Sequence, residues 1–282
     1  MDTKSEIAEY SFISWGGLGD TLLMTPLFRY LSENGNQVFV LATDKKYYEV
    51  LVNNPHIKLE LFEGNANSID IKNYLRPCYS NLLPSMFFKD THASNLISRM
   101  LGFELTNTIP VIQTTKDEDA EVRNFIALNN INKLITINPF TDDNPNKEWD
   151  ILKWEYLIEE LKKIGYTVIQ LGREDHPRIR GVEFNAPYTI RFSFGLIKFS
   201  DYFIGIDSLL AHASTALQTK SIVLFGPTAP GVWGHQNNIN LYSHQVCSPC
   251  VDILFRIKCP FGKKCMNNID IPNVLINIKQ DL

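Results

Sequence analysis

Short apolar runs alternate with amphipathic stretches along most of the chain. In the first half, three apolar runs with strand character are separated by stretches whose apolar residues recur at helical spacing. Alternation of this kind predicts a parallel sheet with helices packed on its faces. The predicted strands are 10–14, 37–43 and 57–62, and the predicted helices are 21–35, 45–52 and 92–102.

The same alternation restarts after the polar stretch 114–121. Its first helix keeps apolar residues at helical spacing from Trp154 to Ile164, and Gly165 marks its end. The predicted strands of this half are 133–139, 166–172, 181–186, 201–207 and 220–226, and the other predicted helices are 190–200, 208–218 and 270–282.

This pattern predicts an α/β protein made of two Rossmann-like halves that face each other. We place the domain boundary in the polar stretch. The N-terminal domain would cover 1–115 and the C-terminal domain 116–282, with a cysteine-rich segment at 244–266 and a final helix at 270–282.

Composition and charge exclude several classes of protein. The chain has 282 residues, of which 44% are hydrophobic and 21% charged, as in soluble globular proteins of one large or two medium domains. The net charge of −4 argues against a dedicated nucleic-acid binder. No apolar run reaches the length of about 18 residues that a transmembrane helix needs. The start does not resemble a signal peptide, because acidic residues precede its first apolar run. We therefore expect a cytoplasmic protein, with peripheral membrane contact left open.

A glycine-rich turn follows the first predicted strand. It contains Gly17, Gly19 and Asp20, with Asp20 at the start of a helix. Glycines let a backbone approach a ligand closely, and helix amides attract anions. The spacing does not fit the dinucleotide-binding pattern GxGxxG, so the turn alone is a weak signal. From the local pattern, Asp20 is equally well explained as a helix cap.

Polar residues cluster where two later strands end. Asp207 ends one strand, Ser208 opens the next helix, and His212 lies four residues further on the same helix face. The following strand ends in the tight turn FGPT, which contains Gly226 and Thr228. Parallel strands of open α/β sheets bind ligands at their carboxyl ends, so we expect a binding site here. The alternative is that Asp207 caps a helix, that His212 is a buried core residue and that FGPT is only a turn.

A single lysine, Lys147, lies between a strand end and a helix in the segment NPFTDDNPNKEW. Its ammonium group suits a phosphate as a mobile point charge. Taken without its neighbours, it is better explained as a surface lysine.

These motifs follow one another along the chain in a fixed order. Taken together, they resemble those of the heptosyltransferases of glycosyltransferase family 9. The resemblance rests on GGLGD in the first loop, Lys147-x-Trp149, and Asp207-Ser208 with His212 followed by LFGPT, and it covers about residues 10–235. It implies a two-domain GT-B fold. It also implies an inverting, metal-independent transfer of a sugar from a nucleotide diphosphate, ADP-heptose in the best-known members.

The resemblance also implies roles for individual residues. Asp20 matches the catalytic base, Lys147 the lysine that contacts the donor phosphate, and Asp207, Ser208 and His212 the donor-binding motif. The backbone amides of Ser208 and Leu209 would help to stabilise the departing diphosphate. The acceptor would be a glycan, a lipid-linked sugar or a protein side chain.

The chain departs from the family pattern at two glycine positions. It has Leu209 after the Asp-Ser pair and Phe140 after Pro139, where the family usually has glycine. Larger side chains there are expected to shift the donor or weaken its binding. These two departures are the main support for one alternative, a non-catalytic binding module on this fold. A second alternative is a sugar-nucleotide epimerase or hydrolase on the same two-domain fold.

Four of the five cysteines cluster near the C-terminus. Cys247 and Cys250 form a close pair, and Cys259 and Cys265 form a second pair across a loop. Four thiolates can close a tetrahedral structural site for zinc or iron. The alternatives are four reduced thiols or a disulfide. The tail is also similar to the metal-finger region of autotransporter heptosyltransferases. Cys78 is expected to be an ordinary buried thiol.

Overall fold

Strand and helix alternate as the hydrophobic pattern predicts. The computed structural model describes residues 8–14, 16–64, 69–75, 90–142, 144–185, 189–250 and 257–279. These residues form two compact units. The first takes the described part of Met1–Leu82 and Ala93–Gln113, and the second takes 90–92 and the described part of Thr114–Leu282. Cys78 lies outside the described residues.

The first unit contains a three-stranded parallel sheet with the order β1-β2-β3. Ile13 at the end of β1 pairs with Leu41 of β2, so the loops after these two strands begin side by side. The elements are β1 (Glu9–Ile13), α1 (Leu18–Leu23), α2 (Thr25–Glu33), β2 (Gln37–Ala42), α3 (Lys45–Leu51), β3 (Lys58–Leu61) and α4 (Ala93–Met100).

The single helix predicted over 21–35 is instead two helices, α1 and α2. Pro26 lies in the first turn of α2 and has no N–H to donate to the carbonyl four residues earlier. The Thr25 hydroxyl donates to that carbonyl, Leu22 O, at 2.7 Å. The Leu22 carbonyl therefore has a hydrogen-bond partner at the helix break, and α2 begins there.

The second unit contains a six-stranded parallel sheet with the order β6-β5-β4-β7-β8-β9. Its strands are β4 (Leu134–Asn138), β5 (Thr167–Gln170), β6 (Phe184–Asn185), β7 (Tyr202–Ile206), β8 (Ser221–Phe225) and β9 (Ile239–Tyr242). Its helices are α5 (Lys116–Leu128), α6 (Ile151–Lys163), α7 (Ile190–Lys198), α8 (Leu209–Ala216), α9 (Pro230–Trp233), α10 (Lys264–Asn267) and α11 (Ile271–Lys279).

Helix α5 occupies the polar stretch in which the sequence predicted only a boundary. Thr115 caps it by accepting from the Glu118 amide, and the Glu118 carboxylate accepts from the Thr115 amide. Arg191 of α7 also donates to Glu118 from two guanidinium nitrogens, at 2.7 and 2.8 Å. Polar side chains thus stabilise a helix whose only buried residue is Val122.

The core of the second unit holds its sheet and its C-terminal helix together. Trp154 and Leu157 of α6 are buried in the same cluster as Val274 and Ile278 of α11. Because all six strands are parallel, the loops after β4, β7 and β8 leave the same edge of the sheet. Lys147, Asp207 and Thr228, which the sequence analysis singled out, lie in the segments that follow these strands. None of the described helices combines the length and hydropathy that crossing a bilayer requires.

Candidate functional site

The glycine-rich turn of the first unit is closed by the side chain of Asp20. The Gly17 amide donates to Asp20 Oδ2 at 2.8 Å, so Asp20 caps the start of α1. Gly16 has a φ of +82°, and a Cβ there would lie 2.9 Å from Asp20 Oδ2. A side chain at position 16 would therefore be strained and would displace the carboxylate. Gly19 lies in the first turn of α1.

Capping and catalysis are compatible roles for Asp20. Its carboxylate is half-buried and is oriented by a backbone amide. The interpretation of Asp20 as a helix cap thus describes the local geometry. The role of Asp20 as a base stays a prediction. Gly17 uses its amide within the turn, and a donor contact by Gly17 or Gly19 likewise stays a prediction.

At the carboxyl edge of the second sheet, Lys147 forms an ion pair with Asp207. Lys147 Nζ lies 2.9 Å from Asp207 Oδ2 and donates to the Asp207 carbonyl at 3.3 Å. A 3-10 turn over Pro145–Lys147, capped by Asn144, carries the lysine. The Asp207 side chain is only 4% exposed, against 18% for Lys147. Asp207 therefore fixes the lysine from beneath instead of lining the surface.

Helix α8 starts beside this pair without a side-chain cap. The Ser208 hydroxyl donates to Asn138 Oδ1 at 2.7 Å, and it makes no capping bond to α8. The first amides of an α-helix have no partner within the helix. A start of this kind, next to a lysine, is an arrangement that favours an anion.

His212 belongs to a group of three histidines in the second unit. His212 Nδ1 lies 3.0 Å from His235 Nε2, and the rings of His92 and His235 pack with centroids 4.8 Å apart. His212 Nε2 is 4.0 Å from Asp207 Oδ1. Burial lowers the pKa of all three imidazoles, that of His92 to about 4. The group is therefore neutral at physiological pH.

His212 lies deeper than the sequence led us to expect. It is 3% exposed, as is Asp207, so neither forms the outer surface of the candidate site. The alternative interpretation of His212 as a buried histidine thus fits its position. Helix α8 packs on β7 and β8, and the helix face that carries His212 points inward. A direct contact between His212 and a donor stays a prediction.

The segment after α9 is attached to α8 at two points one helical turn apart. His235 pairs with His212, and Asn238 Nδ2 donates to Thr215 Oγ1 at 2.9 Å. The His235 carbonyl also accepts from Asn240 Nδ2 at 2.9 Å. These bonds fix the segment that follows the FGPT turn relative to the start of α8.

Gly226 and Thr228 differ in what surrounds them. A Cβ at Gly226 would collide with the Met266 side chain and lie 3.2 Å from Cys265 Sγ, so the C-terminal tail explains this glycine. Thr228 is 1% exposed, and no hydrogen-bond partner for its Oγ1 lies among the described residues. An unsatisfied buried hydroxyl is rare and consistent with a ligand at this turn.

The two residues at the family's glycine positions face differently. Phe140 packs against the core cluster, and its ring lies 5.5 Å from that of His176. Its side chain therefore has a place within the unit. Leu209 is half-buried at the first position of α8. Whether either changes donor binding stays a prediction.

None of the four clustered cysteines, Cys247, Cys250, Cys259 and Cys265, forms a disulfide in the described part of the chain. Burial raises the pKa of Cys265, and the nearby thiols of Cys247 and Cys259 raise it further. Between residues 8 and 279, as far as the structure describes them, no three His, Cys, Asp or Glu side chains converge closely enough to hold a metal ion. The structure does not show the predicted tetrahedral site among its described residues.

Sequence reasoning did not find Tyr47, His92, Asn138 or His235. Each contacts a partner more than twenty residues away in sequence. His235, for example, contacts His212, and Asn138 accepts a hydrogen bond from Ser208. No local motif marks them. Only Asn138 carries a sequence signal, because it is a polar residue at the carboxyl end of a buried strand.

Comparison with known proteins gives a consistent result. Residues 91–260, more than half of the 282, match the sequence model of glycosyltransferase family 9 (heptosyltransferase). Lipooligosaccharide heptosyltransferase 2 of Campylobacter jejuni is 25% identical over 177 residues. That match covers 56% of this chain and 54% of the relative, so the chain spans about half the length of this curated relative.

Solved structures show the fold. ADP-heptose LPS heptosyltransferase II of E. coli superposes with a TM-score of 0.70 at 15% identity, over 97% of this chain and 98% of that one. TibC, an iron-containing dodecameric heptosyltransferase of E. coli solved with ADP-D-beta-D-heptose, gives 0.69 at 14% identity, over 98% of this chain and 77% of that one. The expected α/β fold of the GT-B type is confirmed.

Proposed function

The chain belongs to glycosyltransferase family 9, the heptosyltransferase family, and from this we propose that it transfers a heptose from ADP-heptose to an acceptor hydroxyl. The donor would be held by the C-terminal domain, 116–282, and the acceptor by the N-terminal domain, 1–115. The observation that carries this proposal is the position of Lys147, whose ammonium group lies at the uncapped start of α8.

The diphosphate of the donor would occupy the start of α8. Lys147 would supply positive charge, and the amides of Ser208 and Leu209 would donate to phosphate oxygens. The unsatisfied hydroxyl of Thr228 would supply a further donor. Asp207 and His212 would act from beneath by fixing Lys147 and the first turn of α8. These groups would stabilise the charge that develops on the diphosphate without a catalytic metal ion.

The transfer would invert the anomeric carbon. The acceptor oxygen forms a bond to that carbon while the bond to the diphosphate breaks and its electron pair leaves with ADP. Asp20 takes the proton of the acceptor hydroxyl as the new bond forms. The amide of Gly17 supports this role because it holds the carboxylate in one orientation.

ADP release from ADP-heptose tests the proposed function in three arms. One arm contains no acceptor, one a core oligosaccharide, and one a protein carrying exposed hydroxyl side chains. We expect ADP release only with an acceptor and unchanged by EDTA. Equal release without acceptor, or an altered sugar nucleotide, would indicate the hydrolase or epimerase. Calorimetry that detects no ADP binding would indicate a non-catalytic module.

The four thiols are proposed to bind zinc or iron as a structural ion. The spacing of the four cysteines supports this, and so does the proximity of Cys247 and Cys259 to Cys265, because their thiols raise the pKa of Cys265. TibC, a relative in fold, is iron-containing. Metal analysis of protein purified without oxygen should find a metal that Cys250→Ser removes and Cys78→Ser retains. Protein that is free of metal under these conditions would refute the proposal.

A further inference from the structure

The loops that follow β1 and β2 are joined directly after their last paired residues. Beyond the pair of Ile13 with Leu41, the Thr43 amide donates to Ser14 Oγ at 2.9 Å. Ser14 is buried, so this bond is shielded from water. The two loops therefore leave the sheet side by side.

Further along the same loops, the Tyr47 hydroxyl donates to the Gly16 carbonyl at 2.7 Å. That carbonyl and the Gly17 N–H belong to one peptide group, and this N–H donates to Asp20 Oδ2 at 2.8 Å. One peptide plane is thus held at both ends, by a phenol on its oxygen and by a carboxylate on its nitrogen. The Tyr47 ring and Asp20 are linked through this single group.

The peptide needs such support because its neighbours are glycines. Gly16 has a φ of +82°, and glycine enters this region and others with similar ease. The backbone therefore has little intrinsic preference for the orientation that directs the Gly17 N–H at Asp20. A fixed hydrogen-bond donor on the Gly16 carbonyl supplies that preference.

Helix α3 holds Tyr47 in place. Asp44 caps the helix by accepting from the Lys46 amide at 2.9 Å, and Val50 and Leu51 bury its inner face. Burial raises the pKa of the Tyr47 phenol, and the charges of Asp44 and Asp20 raise it further. The phenol consequently keeps its proton at neutral pH and remains a donor.

We propose that Tyr47 is a positioning residue of the transfer reaction, which orients Asp20 through the Gly16–Gly17 peptide. This inference rests on the proposed role of Asp20 as the base. Hydrogen bonds in a chain polarise one another, so the phenol also strengthens the Gly17 N–H as a donor to the carboxylate. Without the hydroxyl, the peptide rotates and the carboxylate loses its fixed direction.

The test compares Tyr47→Phe with Tyr48→Phe, which removes a hydroxyl one residue further along the same helix. With ADP-heptose and whichever acceptor supports turnover, Tyr47→Phe should lower kcat about tenfold, the effect of one lost hydrogen bond. The KM for the donor and the Kd for ADP should stay within about twofold, since donor binding is not affected. The melting temperature should not change. Tyr48→Phe should behave as the unmodified chain.

A double variant separates positioning from an independent effect. If Tyr47 acts through Asp20, adding Tyr47→Phe to Asp20→Asn causes no further loss of kcat. A further tenfold loss, a weakened ADP affinity, or a Tyr47→Phe variant as active as Tyr48→Phe overturns the inference while leaving the proposed function intact. A fully active Asp20→Asn variant overturns the proposed base, and the inference with it.

Titration of the phenol provides a readout without turnover. The ultraviolet difference between the unmodified chain and Tyr47→Phe isolates the ionisation of Tyr47. In the Asp20→Asn background this pKa should fall, because the carboxylate charge that raises it is gone. An unchanged pKa would show that the two side chains do not interact, and would also overturn the inference.

Discussion

The glycine turn of the first unit and the carboxyl edge of the second sheet differ in how they hold a charged side chain. At the turn, Asp20 is half-buried and accepts a hydrogen bond from a backbone amide, so its carboxylate has a fixed orientation and remains accessible to water. At the sheet edge, Asp207 is buried against Lys147, and neutral histidines lie next to it. The first arrangement suits proton transfer, and the second suits a fixed positive charge for an anion.

Asp20→Asn should produce the largest effect and would test the first half of this contrast. The change keeps the size of the side chain but removes the base, so kcat should fall by about 10²–10⁴. The ADP affinity should not change, because the groups proposed to bind the donor lie in the second unit. Steady-state ADP release and calorimetry measure both quantities. A loss of ADP affinity equal to the loss of kcat would place Asp20 in donor binding instead.

Lys147→Ala should affect both stability and donor binding. It leaves the Asp207 carboxylate buried without its counter-ion, which costs about 3 kcal/mol of unfolding free energy. The Kd for ADP should rise at least tenfold, since a charge-assisted contact to phosphate is lost. Urea unfolding followed by tryptophan fluorescence measures the stability. Lys163→Ala, which removes an exposed lysine of α6, is the matched control.

Acid should destabilise the second unit through its histidines. His92, His212 and His235 have lowered pKa values in the folded chain because burial disfavours their cations. Below the unfolded value of about 6.5, the unfolded chain binds protons that the folded chain does not bind. Stability present above that pH is therefore lost as pH falls, by about 1.4 kcal/mol per pH unit for each histidine.

Urea unfolding at pH 7.5, 6.5 and 5.5 measures this loss. Three of the four tryptophans, Trp149, Trp154 and Trp233, lie in the second unit, so tryptophan fluorescence reports mainly on its unfolding. His235→Gln removes one titrating group and should flatten the pH dependence. Stability that does not change over this range would mean that the three imidazoles bind protons in the folded chain as they do in the unfolded chain, which contradicts their lowered pKa values.

The smallest effect is expected when His235 changes. His235→Ala leaves His212 Nδ1 buried without its partner, which costs about 1–3 kcal/mol. The amide of His235→Gln can keep a hydrogen bond to that nitrogen, so its loss at pH 7.5 should be smaller. Comparison of the two unfolding free energies isolates this bond. Equal losses would attribute the effect to packing alone.

Local sequence patterns predicted the elements that depend on local physics. Burial on both sides of the sheet makes β4, β7 and β8 mostly apolar along their whole length, and their ends could be located from the sequence. The polar stretch that became α5 was missed because its stability comes from a capping box and from Arg191, which lies far along the chain. The helix break at Pro26 could have been read from the proline itself.

The candidate site was predicted as a set of residues but not as an arrangement. Asp207 and Lys147 were both expected to meet the donor, and their ion pair joins positions sixty residues apart. The burial of His212 depends on which face of α8 meets the sheet, and its partner His235 comes from another loop. Spacing along the chain carries no information about such contacts.

Because Gly226 has no side chain, the C-terminal tail packs directly against the turn that follows β8. The Met266 thioether fills the space that a methyl group would need, and the Cys250 amide donates to the Pro227 carbonyl at 2.8 Å. In a homologue that lacks the tail, this steric demand for glycine disappears, and alanine at the equivalent position becomes compatible with the packing. Positions 226 and 266 should accordingly vary together across the lineage.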